Sequence, residues 1–502
     1  MIDTKALRQK ILDMAIRGKL VPQDPNDEPA SVLLERIRAE KQQLIKEDKN
    51  KKDKNDSVIF KGDDNRYYEK VGSEVKDITD EIDLECPRNW TFVRLRDLIE
   101  LISGRDLLPT QYNSDKIGIP YITGASNLLN ERIIINRWTD TPSVVSHKGD
   151  LLITCKGTIG EMVFNNIGDI HIARQIMSIR CIGANSLFIM LVLKYYVSQL
   201  QSGAKSFIPG ISRDDILKLS FIMPPLAEQT RIVNRVEELF EQVDIIEQNQ
   251  ADIDTLYDEF RKRTLTLAIQ GKLVPQDPND ESASVLLERI RAEKKAKLGK
   301  KYVDSYIYKG DDNCYYEKVG ETVTNISDEI PFDLPENWVW IRLGYVIDFS
   351  KSDTVTASQI DPTSWVLDLE DIEKNSGGLL QKKAMRETQS KSDKHSFYKG
   401  NVLYSKLRPY LNKVLVADED GYCTTEILAF DFGQNIAAQY AQIYLMSPYF
   451  VDYAMAGAYG VKMPRIGSTR GNAALMPIPP FNEQRRIVER YNTICKQLKD
   501  EA

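Results

Sequence analysis

Residues 14–41, MAIRGKLVPQDPNDEPASVLLERIRAEK, return at 267–294 as LAIQGKLVPQDPNDESASVLLERIRAEK, identical at 25 of 28 positions. Three further blocks recur in the same order. IFKGDDNRYYEKVGSEV from Ile59 pairs with IYKGDDNCYYEKVGETV from Ile307, PRNWTFVRL at Pro87 with PENWVWIRL at Pro335, and MPPLAEQTRIV at Met223 with IPPFNEQRRIV at Ile478. The period, near 250 residues, is far beyond the roughly 20–50 of solenoids, so whole domains are duplicated. Between the shared blocks, residues 96–222 and 344–477 have similar lengths but little identity, apart from KGDLL at Lys148 and KGNVL at Lys399. One scaffold therefore presents two different surfaces.

The scaffold contains a long helix. No Gly or Pro interrupts Glu228 to Gln270, and apolar residues recur at every seventh position: Ile232, Leu239, Ile246, Ile253, Phe260 and Leu267. Val236, Val243, Gln250, Tyr257 and Thr264 fall between them, a mixed coiled-coil seam, and Gly271 and Pro275 supply the stop. At about 1.5 Å per residue the spacing predicts a rod of about 60 Å. Ile487, Tyr491, Ile494 and Leu498 start the same seam near the end of the chain, while residues 1–20 match 254–273, with Leu7, Ile11 and Met14 standing for Phe260, Thr264 and Leu267. The repeat is circular. It predicts a C-terminal helix that begins a second rod and an N-terminal helix that completes it, the two rods antiparallel in a pseudo-twofold object.

Composition narrows the function. The chain has 502 residues with 67 Lys+Arg against 74 Asp+Glu, net −7, which argues against coating nucleic acid through bulk charge but not against local basic surfaces. A content of 42% apolar and 28% charged residues is that of a globular protein. Leu187 to Leu193, the longest apolar run, is far short of the roughly 20 residues that span a bilayer. Six scattered cysteines without a C-x-x-C pair and three separated histidines, His147, His171 and His395, predict a reduced, cytoplasmic protein with no disulfide scaffold and no metal site. Asn/Asp/Ser-Pro-Pro-Tyr/Phe, whose polar side chain accepts an amine in amino-group methylases, is missing, because Met223 and Ile478 precede the two Pro-Pro pairs. No G-x-x-x-x-G-K-[ST] phosphate loop occurs either. Asp214 and Asp215 follow Ser212, a candidate N-cap, and complement a helix dipole rather than forming an acid–base pair.

The ordered, doubled set of P-x-N-W-x-x-x-R-L, K-G-D/N-x-L and P-P-L/F-x-E-Q, with the circular layout, resembles the specificity (S) subunits of type I restriction–modification systems over essentially the whole chain. SKLRPYLNK at Ser405 is the most specific local match. The resemblance implies an α+β fold with two mixed α/β target recognition domains separated by an antiparallel pair of long coiled-coil helices. Its expected segments are an N-terminal helix at 1–20 completing the second rod, a charged arm and linker at 21–86, the first target recognition domain at 87–222 and the central helix at 223–273. A repeated arm and linker at 274–334, the second domain at 335–477 and a C-terminal helix at 478–502 follow. It implies a non-catalytic chain reading double-stranded DNA as two half-sites. Its partners would be two copies of a modification (methyltransferase) subunit using S-adenosylmethionine, and restriction subunits using ATP and Mg. No cofactor is expected on this chain.

Arg and Lys neutralise phosphates, and Arg can bond guanine bidentately. The candidate DNA contacts are therefore Lys156, Thr158, Arg174, Lys205 and Arg213 in the first insert, and Lys406, Arg408, Tyr410, Lys413, Lys462, Arg465 and Arg470 in the second. TCKGTIG takes the place of SKLRPYLNK in the first insert. Trp90 and Trp338 are read as structural. The Lys-rich arms at 34–56 and 287–302 are read as helices grading into solvated linkers, with phosphate or partner contact as the alternative. Two other readings stay open at this point: a protein-binding scaffold with two divergent interaction domains, and an enzyme of unrecognised fold.

Overall fold

The computed structural model describes residues 2–47, 57–81, 85–129, 132–203, 210–388, 390–460 and 462–500. The chain divides into two compact units, Met1–Gln250 and Ala251–Ala502. The first opens with helix α1 (Thr4–Ile16), capped by Asp3, whose Oδ1 accepts from Ala6 N at 2.9 Å. Helix α2 (Ala30–Glu47) follows, then a three-stranded antiparallel meander of Ser57–Lys61, Tyr67–Val71 and Glu74–Asp77. Its second turn has only Gly72 and Ser73 between strands, and Gly72 takes the φ of +60° that such a hairpin demands. The insert proper holds two four-stranded sheets. In one, Leu151–Thr154 lies between Met162–Phe164 and Ile176–Cys181, with Ile99–Ser103 at the far edge. In the other, Val145–Ser146, Ile170–Ile172, Ile119–Ile122 and Trp138–Thr139 follow one another. Helices α3 (Ser186–Gly203) and α4 (Arg213–Leu217) precede the long helix α5 (Leu226–Ile269, 44 residues), which begins in the first unit and ends in the second.

The second unit repeats this plan. Helix α6 (Ala283–Leu298) leads into a meander of Ser305–Lys309, Tyr315–Val319 and Thr322–Asn325. The insert has a three-stranded sheet, with Val402–Ser405 between Val414–Val416 and Ile427–Phe430, and a separate five-stranded sheet. Helices α7 (Ala438–Met446), α8 (Pro448–Ala456), α9 (Ser468–Ala473) and α10 (Phe481–Asp500) complete it.

The shared motifs staple each insert shut. Thr91–Arg94, from the first N-W-x-x-x-R-L, pairs antiparallel with Ser220–Met223, the strand that runs into the Pro-Pro step. The buried Trp90 indole N–H donates to Glu228 Oε2 at 3.0 Å. Next door, Gln229 Nε2 donates to Pro224 O at 2.9 Å while its Oε1 accepts from Asn185 N at 2.9 Å. The second unit does the same with Val339–Arg342 on Leu475–Ile478, Trp338 on Glu483 at 3.1 Å, and Gln484 on Pro479 O at 3.1 Å and Ala437 N at 2.8 Å. Arg94 reaches Glu69 and Glu81 and Arg342 reaches Glu317 and Glu329, fixing each meander to its staple. Gly18 and Gly271 end α1 and α5 at φ +67° and +68°, where a Cβ would meet Pro87 and Trp90, or Pro335 and Trp338, at 3.1 Å or less. The left-handed helix end and the close approach of the Pro–Trp pair both require glycine there.

Each unit also packs a helix on part of α5, antiparallel in the first. In the first, Ile2 O accepts from Gln250 Nε2 and Arg8 bonds Asp244 and Glu247 and stacks over Phe240, so α1 runs against the first half of α5. Ile11, Leu12, Ile16, Ile232, Val236 and Val243 are buried in that unit's core. In the second, Leu265, Ala268 and Ile269 share a core with Ile487 and Tyr491 of α10. The expected seam is not covered throughout. Ile253 and Phe260 are 46% and 49% exposed.

The arms start as helices, as the sequence suggests, and residues 48–56 of the first arm lie outside the described residues. Lys41 donates to Arg96 O and Lys294 to Tyr345 O, so each arm helix is pinned to its insert. Among the described residues no helix is long and apolar enough to cross a membrane, and no cluster of three His, Cys, Asp or Glu is placed to hold a metal.

Burial pushes the Glu228 carboxyl up, against the Trp90 hydrogen bond that lowers it. The folded state therefore binds this proton more tightly than the unfolded chain does, and the group's contribution weakens as pH rises out of the carboxyl range. Glu228→Gln keeps an acceptor for the indole without a charge. Its stability relative to the parent is expected to rise with pH and to stay within about 1 kcal/mol, whereas Glu228→Ala strands the N–H and costs about 1–3 kcal/mol. Urea unfolding at about pH 4 and about pH 7 checks both signs.

Candidate nucleic-acid interface

In both units the strand of the K-G-D/N-x-L motif leads to one cluster of loops. Cys155 follows Leu151–Thr154; its N donates to Gln175 O at 2.8 Å and its O accepts from Ile211 N at 3.0 Å. Lys406 follows Val402–Ser405; its N donates to Glu426 O at 3.0 Å and its O accepts from Ile466 N at 3.2 Å. Thr154 pairs with Ile176 as Ser405 pairs with Ile427. These contacts make Cys155 and Lys406, Gln175 and Glu426, and Ile211 and Ile466 equivalent, in two inserts whose sequences barely align. The same three segments therefore converge in each unit: the hairpin loop after the strand, the residue before the returning strand, and the turn before a short helix.

In the first unit Lys156 and Thr158 are exposed on the hairpin loop, which Gly157 and Gly160 turn at φ +77° and +87°. Arg174 is exposed beside them, its Nε 2.7 Å from Asp106 Oδ2 and its backbone N 3.1 Å from Asp106 Oδ1. Ser212 caps α4 as its sequence position predicts, accepting from Asp215 N at 3.2 Å while Asp215 Oδ2 accepts from Ser212 N at 2.8 Å. Arg213 is exposed too, and its guanidinium donates to Leu101 O and to Ser103 Oγ on the edge strand. Lys205 lies outside the described residues.

In the second unit the loop is stiffer. Arg408 and Asn412, both left-handed at φ +51° and +49°, bracket a single turn at Pro409–Leu411. The pre-proline position disfavours the right-handed helical region, and Arg408 N is held by Pro464 O at 2.7 Å. Asn412 Nδ2 donates to Met446 O at 2.8 Å. Left-handed backbone at a non-glycine residue costs about 1–2 kcal/mol, so the loop's shape is imposed by these contacts. Arg408 Nε is buried with no hydrogen-bond partner among the described residues. Lys406 is half-buried, Lys462 exposed and Tyr410 48% exposed.

The other three candidates of this insert have internal partners. Lys413 Nζ donates to Leu369 O, and burial lowers its pKa. Arg465 makes a two-pronged pair with Glu426 at 2.8 and 3.1 Å, which holds that carboxyl below its usual range. Arg470 donates to Tyr453 O at 2.9 Å with its guanidinium 4.2 Å from the Tyr453 ring centroid. Residue type and clustering singled these side chains out, but neither reveals which way a guanidinium turns. Sequence reasoning passed over Gln175 and Glu426. The available signal was the faint echo of Pro209-Gly210-Ile211 in Pro464-Arg465-Ile466.

Arg470→Ala is expected to lower the second unit's stability by about 1–2 kcal/mol through lost stacking and packing. Lys156→Ala and Lys462→Ala should stay within about 0.5 kcal/mol of the parent. Urea unfolding midpoints separate the two groups.

Comparison with known proteins agrees with this geometry. Residues 87–255 match the family described as Type I restriction modification DNA specificity domain. The chain is 28% identical over 571 aligned positions to the type I restriction enzyme EcoAI specificity subunit of Escherichia coli, covering 99% of this chain and 90% of that one. It is 26% identical over 575 positions to the EcoEI specificity subunit of Escherichia coli, with the same coverage. A solved chain from work on complex assembly and conformational transition of the type I R-M system shares the fold, with a TM-score of 0.54 at 18% identity over 83% of this chain and 92% of that one. Along almost its whole length the chain is thus similar to type I restriction–modification specificity subunits, with residues 87–255 matching their DNA specificity domain.

Proposed function

We propose that this chain is the DNA-reading subunit of a type I restriction–modification complex, each insert reading one half of a bipartite, asymmetric site. One observation carries the reading: inserts with almost no common sequence place the same three segments on the same hydrogen bonds, with different basic and polar side chains on them. Such a pattern suits a fixed mount for variable contacts. Lys156 and Arg174 in the first unit, and Lys406, Arg408 and Lys462 in the second, are the contacts we assign to DNA, with Thr158 and Tyr410 beside them. Lys413, Arg465 and Arg470 hold the mount. A purely protein-binding scaffold is not favoured by the relatives that the chain matches.

The chain itself carries out no bond chemistry in this reading. It directs partners: two copies of a methyltransferase subunit that brings S-adenosylmethionine, and restriction subunits that bring ATP and Mg, in the cytoplasm. The net charge of −7 fits a reader that depends on local basic loops and a partner's grip rather than on bulk attraction. Affinity should still fall as salt rises, because phosphate contacts release counterions.

Replacing residues 96–222 with the corresponding insert of a relative is expected to change one half-site of the methylated sequence and leave the other intact. Methylation mapping in cells carrying the system reads this directly, and an unchanged pattern would remove the insert from recognition. Arg408→Ala should weaken binding of the complex to its own site by about 1–3 kcal/mol if the guanidinium meets a base. Titration of labelled duplex at fixed salt measures it.

A further inference from the structure

The equivalent positions 175 and 426 differ in a way that bears on recognition. In the second unit Glu426 is neutralised by Arg465, so its carboxylate is engaged inside the protein. In the first unit Gln175 takes the place of Glu426, and Gly210 takes the place of Arg465. Gly210 has φ +140°, and a Cβ there would stand 3.0 Å from Cys155 O, so no long side chain fits where the second unit puts its arginine. The Gln175 carboxamide is exposed and has no hydrogen-bond partner among the described residues. Gly124 lets this side chain lie close against it, since a Cβ there would come within 2.3 Å of Gln175 Oε1. Its backbone is nevertheless fixed, its carbonyl accepting from Cys155 N at 2.8 Å and its neighbour Ile176 entering the sheet opposite Thr154. Lys156 and Arg174, both exposed, flank it. A rigid mount, an amide with no internal hydrogen-bond partner and adjacent cations are the combination that base readout needs.

Resting on the DNA-reading function proposed above, we infer that Gln175 is a specificity-determining residue of the first half-site, reading a base edge with a donor and an acceptor side by side. Adenine offers such an edge in the major groove, and a glutamine carboxamide matches it with two hydrogen bonds. The second unit has no counterpart, because its equivalent side chain is closed off by Arg465.

The test uses the full chain with its methyltransferase partner. Methylation is mapped for the parent, Gln175→Ala and Gln175→Glu, and each complex is titrated against duplexes carrying the parent sequence and single-base changes in either half-site. Gln175→Ala is expected to lower discrimination by about tenfold or more at one base pair of the first half-site. Gln175→Glu, which can only accept, should move the preference at that same pair toward a donor such as cytosine N4. The second half-site stays unchanged in both. Unaltered discrimination in both variants would overturn the inference. So would a loss shared by both half-sites, or a lowered melting temperature, which would mark Gln175 as a framework residue. Failure of the parent itself to direct methylation to any sequence would instead overturn the DNA-reading function.

Discussion

The hydrogen bond from a buried tryptophan indole to a buried glutamate, made once in each unit, is the contact on which the rest of the structure depends. Trp90 lies where its insert begins and Glu228 where it ends, and Trp338 and Glu483 repeat the relation. An indole N–H buried without an acceptor is costly, as is a carboxylate buried without a donor. Each therefore stabilises the other. The adjacent glutamine reinforces the closure by gripping both the Pro-Pro step and the residue just before α3 or α7 of the insert. Everything between the two ends is free to change provided it returns its chain to the same place. This explains how residues 96–222 and 344–477 diverged inside a frame that stayed nearly identical.

The closure also fixes the reading end. Each central insert strand runs from a glycine turn, Gly149 at φ +95° or Gly400 at φ +88°, to the loops at its far end. Backbone hydrogen bonds define the cluster there, so side chains vary without moving the mount. The two units then solve the mounting problem differently. The first turns its loop on glycines and leaves Lys156 and Gln175 exposed; the second uses left-handed Arg408 and Asn412, braced by Pro464 and Met446.

Much of the frame was legible in the sequence because duplication is visible without knowing any contact. The long helix, the Ser212 cap and the structural tryptophans all follow from local pattern. Other features do not. Ile253 and Phe260 carry a flawless heptad phase, yet phase records only which face is apolar, and the facing helix decides what is covered. The internal partners of Arg213, Lys413, Arg465 and Arg470 are not visible in the sequence, since the partner of a long cation can lie far away in it: 112 residues for Arg213 and 44 for Lys413. Gln175 was invisible for the opposite reason. Its meaning comes from an arginine that the other unit has and this one lacks.

Sequencing the methylated sites of cells that carry this chain with its methyltransferase partner tests the central claim most directly. The account predicts one asymmetric motif of two short, unlike half-sites with an unread stretch between them. A continuous motif, two identical half-sites, or methylation that does not depend on this chain would contradict it.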